Sequence, residues 1–339
     1  MTQSIVIQVG QCGNQIGCRF WDLALREHAA INKKGNFDDA LGTFFRNVDV
    51  RYDPPRDIPV ENGSSPIASL KARAVLIDME EGVVNENLKG PLGDIFDTRQ
   101  LITSVSGSGN NWAVGHYTYG ARYRESIIET VRRAAEKCDC LQSFLIMHSI
   151  GGGTGSGLGS LVPELLKDEF PEVYRFVTAV FPSEDDDVVT SPYNSVLALH
   201  QLIEYADCVL PVENQALIDI CAKINEGSKL KARPGTAVST GSALSQSSKK
   251  PFDSMNNIVA NMLLSLTASP RFEGCLNVDI NEITMNLVPF PRMHFLVPAI
   301  TPLYALADVH CPPRRLDQMF TDAFSREYQL IRADPKHGM

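Results

Sequence analysis

The sequence lacks most features of metal-rich, disulfide-linked, membrane and nucleic-acid-binding proteins. Its eight cysteines form no C-x-x-C pair, and no two histidines stand at zinc spacing. Lysine and arginine number 31 against 40 acids, and this net charge of −9 argues against general nucleic-acid binding. No apolar run approaches the length of a membrane span, and the opening residues lack the basic region and cleavage site of a signal peptide. These absences predict a cytoplasmic protein with reduced thiols that binds neither membrane nor nucleic acid.

The most informative stretch is HSIGGGTGSGLGS, at residues 148–160. The apolar residues 144–147 predict a buried strand before it, and leucines at helical spacing predict a helix after it. A glycine-rich turn between them would aim backbone N–H groups and a helix N-terminus at one point, which suits phosphate oxygens. The turn has neither the lysine of G-x-x-x-x-G-K-[ST] nor a G-x-G-x-x-G register. A flexible linker is the alternative, but a linker is not bracketed by a buried strand and an amphipathic helix.

Predicted strands alternate with predicted helices along most of the chain. The strands are expected at 4–9, 74–77, 101–105, 144–147, 174–181 and 208–212. This alternation predicts an α/β fold with a doubly wound, mainly parallel sheet. Residues 29–73, rich in turn-forming residues, predict a long irregular excursion.

The segment 226–250 breaks this alternation. It holds five basic residues, one acid, six serines and no aromatic residue, which predicts a disordered surface loop. It is either a tolerated insertion or an electrostatic contact with an acidic partner.

Two further turns carry candidate ligand groups. The first predicted strand leads through Gly10 into a helix on which Cys12 and Ile16 could present a soft apolar surface to a base. The strand at 74–77 ends in Asp78 and Glu80, and ligands of open α/β sheets bind at such carboxyl ends. A solvated acidic turn is the alternative for these two acids.

The motif GGGTGSG in this setting resembles the signature of the tubulin family. GQCGNQIG at 10–17, GSGNNWAVGHYTYG at 107–120 and PFPRMHF at 289–295 resemble further family segments in the family's order. The resemblance implies a GTP-binding domain at 1–254, with a connecting helix and an incomplete second α/β domain at 255–339. Family chains continue beyond position 339, so we expect the strand predicted at 293–299 to lack sheet neighbours. The stretch 29–73, the acidic run 184–187 and the segment 226–250 are unlike alpha- and beta-tubulin.

The resemblance also implies a site for GTP or GDP with Mg²⁺. The residues implied to line it are Gly10, Gln11, Cys12, Ile16, Ser108, Gly109, Asn110, Ser149, Gly151, Gly152, Gly153, Thr154 and Gly155. Asp78 and Glu80, with Gln11, are implied near the magnesium, and Asp187 at the ribose. The ring of Phe252 is implied to stack on guanine, while the amides of Asn214 and Asn256 read its edge, because an amide both donates and accepts. A core phenylalanine and a helix-terminal asparagine are the alternative.

The stretch Gly274 to Glu282 has the form G-x-x-N-x-D-x-x-E, which resembles the alpha-tubulin version of a loop that enters the next subunit's nucleotide site. Beta-tubulin carries lysine where this chain has Glu282. Glu282, assisted by Asp279, would act in trans on a water beside a neighbour's γ-phosphate. The alternative is a solvated acid near a helix N-terminus.

The resemblance implies a cytoskeletal role in centrioles, centrosomes, basal bodies and microtubule organisation, with other tubulin subunits or centriolar proteins as partners. Two alternatives stay open. A stand-alone nucleotide hydrolase would need its own general base, and no candidate stands near the glycine turns. A nucleotide-holding interaction module that never polymerises is the other.

Overall fold

The structure is a computed structural model that describes residues 2–52, 55–58, 65–183, 186–231, 252–272, 274–275, 277–303 and 315–333, without the side chains of 225–231. Its strands are β1 (Gln3–Val9), β2 (Asn36–Phe37), β3 (Phe45–Asp49), β4 (Arg56–Asp57), β5 (Ser65–Pro66), β6 (Leu70–Ala72), β7 (Ala74–Asp78), β8 (Leu101–Thr103), β9 (Leu141–Ser149), β10 (Tyr174–Phe181) and β11 (Cys208–Glu213). Its α-helices are α1 (Gly10–Ile31), α2 (Asp39–Gly42), α3 (Glu81–Lys89), α4 (Gly120–Ala135), α5 (Thr154–Glu169), α6 (Ser191–Tyr205), α7 (Asn214–Lys231), α8 (Asp253–Leu266), α9 (Ala268–Arg271), α10 (Ile280–Leu287) and α11 (Leu316–Ala323).

Six parallel strands form the central sheet, in the order β11-β10-β9-β1-β7-β8. From β1 the chain passes through β7 to β8 at one edge. It then returns to β9, on the other side of β1, and continues to β10 and β11. The direction of winding therefore reverses between β1 and β9, which is where ligands bind in open α/β sheets. The predicted doubly wound parallel sheet is confirmed.

The sheet is covered on both faces, which explains why its strands are nearly continuous apolar runs. Successive side chains of a strand point to opposite faces. Val6 belongs to a hydrophobic cluster that includes Trp21 of α1 and Val259 of α8. Its neighbour Ile7 belongs to a second cluster formed with α4, α5 and α6. The central strands thus lie between two apolar layers.

The excursion at 29–73 is more ordered than predicted. It contains α2, a small antiparallel sheet of β2 and β5, and another of β4, β3 and β6. β3 is buried at all five positions. Phe44 and Phe45 pack edge-on against Trp21 at ring distances of 6.2 and 5.4 Å. These aromatic contacts outweigh the turn-rich composition and fold the excursion onto α1.

The predicted disordered segment 226–250 begins too early. α7 continues to Lys231, so the first six residues of the predicted segment are helical. Residues 232–250 lie outside the described residues.

The prediction of a strand at 293–299 is wrong. Phe295 forms a single parallel bridge with Val209 of β11, and Ala299 forms a single antiparallel bridge with Gln329. Leu330, which is fully buried, donates its amide to the carbonyl of Pro298 at 2.9 Å. The segment thus runs along the edge of the central sheet. In the described part of 252–303 and 315–333, the β-structure consists only of single bridges of this kind. These residues therefore do not test the predicted second domain, which stays a prediction.

None of the helices in the described part of the chain combines the length and apolarity needed to cross a bilayer.

Candidate functional site

A cavity of about 380 Å³ opens at the carboxyl ends of β1, β7, β9 and β10, at the point where the winding reverses. The predicted residues that line it are Gln11, Cys12, Ile16, Asp78, Glu80, Ser108, Gly109, Asn110, Ser149, Gly151, Gly152, Gly153, Thr154, Gly155, Asn214, Phe252 and Asn256. The structure thus brings together residues that are up to 245 positions apart in the chain, from Gln11 to Asn256.

The first turn of α1 forms one wall of the cavity. Asn14 holds it in place, because its side chain donates to the carbonyl of Gly10 at 2.9 Å and to that of Ile77, near the end of β7, at 3.3 Å. Burial raises the pKa of Cys12 to about 12, so the thiol is neutral and presents the apolar surface that the sequence predicts. Gln15 also lines the cavity. It lies one turn after Gln11 on the same helix face, and this spacing could have identified it.

Gly10 does not line the cavity, contrary to the prediction. It takes a left-handed conformation with φ +73°, and a Cβ there would lie 3.0 Å from the amide nitrogen of Gly155. Its absent side chain lets the start of α1 approach the 149–155 turn. Gly10 therefore shapes the site through the backbone, without facing the ligand space.

Two glycine-containing turns form the floor. The 107–111 turn has left-handed backbone at Gly107, Gly109 and Asn110, with φ of 60°, 57° and 52°. Successive N–H groups in such conformations form concave anion sites. The 149–155 turn leads into α5, and its Thr154 hydroxyl lies 2.8 Å from that of Ser108. The two turns therefore meet at one point beside a helix N-terminus, where phosphate oxygens are favoured.

Asp78 and Glu80 lie at the same end of the cavity. Asp78 is 3% exposed; its Oδ1 accepts from the amide of Glu80 at 3.2 Å, while its Oδ2 has no hydrogen-bond partner among the described residues. Desolvation raises the pKa of Asp78 to about 6. A Cβ on Gly107 would lie 2.5 Å from Oε1 of Glu80, so glycine leaves room for that carboxylate.

These carboxylates fit a magnesium ion that is shared with phosphates. Mg²⁺ is usually held by one or two carboxylates plus phosphate and water oxygens, not by an all-protein cage. The unpartnered Oδ2 of Asp78 supplies such an oxygen.

Phe252 also lines the cavity, together with the apolar residues Met255 and Val259. The ring is 53% exposed, which excludes the alternative of a core phenylalanine. Phe252 precedes α8 in a left-handed conformation with φ 72°, which is costly for a bulky residue. The next residue, Asp253, accepts from Nε of Arg19 at 2.6 Å, which ties this strained turn to α1.

Of the two described acids in the run 184–187, Asp186 lies beside the cavity, one residue before the predicted Asp187. Asp186 lines the cavity, and its carboxylate accepts from the hydroxyl of Ser191 at 3.0 Å. Both acids are exposed, and Asp187 does not line the cavity. The contact of Asp187 with a ribose stays a prediction.

Asp279 and Glu282 also lie away from the cavity. Phe252, at the start of α8, lines it, and the loop that carries Asp279 follows the other end of α8. A helix of 14 residues spans about 21 Å, and the amide of Val278 donates to the hydroxyl of Ser269 at 2.7 Å, which holds the loop at that far end. Ile280 between them is buried, which anchors the start of α10.

Glycine turns at a topological switch point, in a cavity that also holds carboxylates and an exposed aromatic ring, define a nucleotide-binding α/β protein. Residues 3–222 match the model of the Tubulin/FtsZ family, GTPase domain. The chain is 64% identical to "Tubulin epsilon chain" of Mus musculus and 63% identical to that of Homo sapiens, with all of this chain and 72% of each relative covered. The chain belongs to the tubulin family and is a GTP-binding cytoskeletal protein.

The segments 29–73, 184–187 and 226–250, which are unlike alpha- and beta-tubulin, also predict that the chain belongs to the epsilon branch of the family. The identity to the two epsilon chains confirms that prediction.

Proposed function

We propose that the cavity holds GTP or GDP with guanine at the Phe252 end and the phosphates over the 107–111 and 149–155 turns. The observation that supports this proposal is that the exposed ring of Phe252 and the two glycine-containing turns line the same cavity. Asn214 and Asn256 line the same cavity as the ring and lie in the first turns of α7 and α8. Each can donate to and accept from a base edge, which favours guanine over adenine.

Asp78 and Glu80, with Gln11, would hold Mg²⁺ beside the phosphates. The ion would neutralise charge on the phosphate oxygens. Without it, the two carboxylates and the phosphates would repel one another in a partly buried cavity.

GTP hydrolysis is completed in trans, by Glu282 and Asp279 at the site of a neighbouring subunit. Both residues are exposed, and α8 separates them from the chain's own cavity. Asp279 is the N-cap of α10, but its side chain accepts no capping hydrogen bond in the described structure. Its carboxylate therefore remains available, where an N-cap aspartate would ordinarily bind its own helix. A carboxylate at Glu282 can orient or deprotonate a water for attack on phosphate.

The proposed role is in centrioles, centrosomes, basal bodies and microtubule organisation, with other tubulin subunits or centriolar proteins as partners. What supports it is the resemblance to the epsilon branch of the family.

Analysis of bound nucleotide, together with the molar mass in solution, tests the proposal first. We expect the purified protein to retain GTP or GDP. Turnover that rises with the concentration of tubulin subunits would support hydrolysis at a subunit contact. Turnover independent of concentration would indicate a stand-alone hydrolase, and absent turnover under all conditions would indicate a nucleotide-holding module.

Glu282→Ala tests the action in trans. We expect unchanged GTP binding and slower hydrolysis only in mixtures where the variant contacts a second GTP-loaded tubulin subunit. Glu125→Ala, which removes an exposed acid of α4, is the matched control and should hydrolyse at the parent rate. Loss of GTP binding by isolated Glu282→Ala, or unchanged hydrolysis in an assembly with proven contact, contradicts the proposal.

A further inference from the structure

The side chain of Asn194, in the first turns of α6, joins the two turns on the cavity floor. Its Nδ2 donates to the carbonyl of Asn110 at 2.8 Å and to the carbonyl of Gly151 at 2.9 Å. Its Oδ1 accepts from the amide of Trp112 at 2.9 Å. One amide group therefore bonds to the 107–111 turn, to the residue that follows it and to the 149–155 turn.

Asn194 acts from behind the turns. It is 3% exposed and does not line the cavity, whereas Asn110 and Gly151 do. The turns also meet through the hydroxyls of Ser108 and Thr154, but those two groups face the ligand space. The side-chain amide of Asn194 therefore does not contact the ligand space, and it bonds to two backbone carbonyls and one backbone N–H.

The geometry of the 107–111 turn makes this support necessary. Asn110 has a left-handed backbone that non-glycine residues adopt at a cost, and such conformations persist where the surroundings over-determine them. Its carbonyl receives two donors, Nδ2 of Asn194 and the hydroxyl of Thr190 at 2.7 Å. Fixing this carbonyl fixes the peptide plane that also carries the N–H of Asn111. That N–H donates to the carbonyl of Ser108 at 3.1 Å, so the two donors to Asn110 hold the turn closed.

We propose that Asn194 is a positioning residue that holds the two turns in register and thereby sets how much affinity the phosphates contribute. The proposal rests on the placement of the phosphates over these turns under Proposed function. Asn194 does not touch the base end of the cavity, so its effect depends on the number of phosphates and not on the base.

The test compares the dissociation constants of GMP, GDP and GTP for parent and variants at pH 7.5. Asn194→Asp keeps the shape and the acceptor for Trp112, but it removes both donated bonds and sets a carboxylate against two carbonyl oxygens. We expect GTP affinity to fall by about 10- to 100-fold, because buried partners lose their hydrogen bonds. GMP affinity should change by less than about 3-fold, so the gain from GMP to GTP shrinks.

Two further variants keep the test decisive. Thr190→Val removes the other donor to the carbonyl of Asn110 from an exposed position, and should weaken GTP binding by about 2- to 10-fold with GMP again spared. It carries the test alone if Asn194→Asp does not fold. Val196→Ala, a change at an exposed position of α6, is the matched control and should leave all three affinities unchanged.

Three outcomes would overturn the inference. Equal loss for GMP, GDP and GTP would indicate a purely structural role for Asn194. Unchanged GTP affinity in Asn194→Asp, or in Thr190→Val if it alone folds, would show that the turns need no such support. If the parent itself gains no affinity from GMP to GTP, the placement of the phosphates is wrong, and the inference falls with it.

Discussion

Replacing Asp78 by asparagine should stabilise the nucleotide-free protein while it weakens Mg²⁺-dependent GTP binding. The carboxylate is almost fully buried, and its Oδ2 has no partner among the described residues. The pKa of Asp78 rises from 3.8 to about 6, chiefly because burial removes water from the charged form. The folded chain therefore holds this proton more tightly than the unfolded chain.

The sign of the effect follows from proton linkage. Above about pH 6 the carboxyl is charged in both states, and its burial destabilises the fold. As the pH falls from 6 to 3.8 the folded state gains the proton first, so this cost disappears. The interval between the two pKa values corresponds to about 3 kcal/mol at 1.36 kcal/mol per pH unit.

Urea unfolding in EDTA without nucleotide measures the predicted gain. At pH 7.5 Asp78→Asn should raise the free energy of unfolding by about 1–3 kcal/mol. The increase is less than the full cost of the buried charge, because the new amide also lacks a hydrogen-bond partner. The difference from the parent should shrink at pH 4.5. In the presence of Mg²⁺ the variant should bind GTP more weakly, because asparagine cannot supply a charged ligand oxygen.

The control is Asp317→Asn, which removes an exposed carboxylate of α11 and should leave stability nearly unchanged at both pH values. An Asp78→Asn protein that is less stable than the parent at pH 7.5 would refute the reasoning. That result would mean that the folded chain compensates the buried charge.

Three other substitutions test the packing around the cavity. Phe252→Ala should weaken GTP binding by about 1–3 kcal/mol in equilibrium titrations, and normal binding would contradict the stacking role. Arg19→Met removes the ion pair that ties the start of α8 to α1, so it should weaken GTP binding by equilibrium titration, while Arg26→Met, which breaks an exposed pair on the same helix, should not. Gly13→Ala should lower the free energy of unfolding by about 1–3 kcal/mol, because the Cβ would lie 2.1 Å from a carbonyl oxygen of β9, whereas Gly42→Ala meets nothing within 4 Å.

The sequence alone determined the parts of the site that depend on local patterns. A buried strand, a glycine turn and an amphipathic helix are neighbours in the chain, so the 149–155 turn could be predicted from hydrophobic periodicity. The carboxylate of Asp78 could be placed near the ligand because it ends a predicted strand. Phe252 and Asn256 entered through resemblance, since nothing local marks an aromatic residue before a helix as a base platform.

Only the tertiary structure decided what depends on distant contacts. Asn194 bonds to a carbonyl 84 positions away, and Arg19 pairs with an acid 234 positions away. The ordered structure of residues 29–73 depends on aromatic packing against α1. The physical reason is that a side chain's partner is set by the folded path of the chain, which a local pattern of residues does not contain.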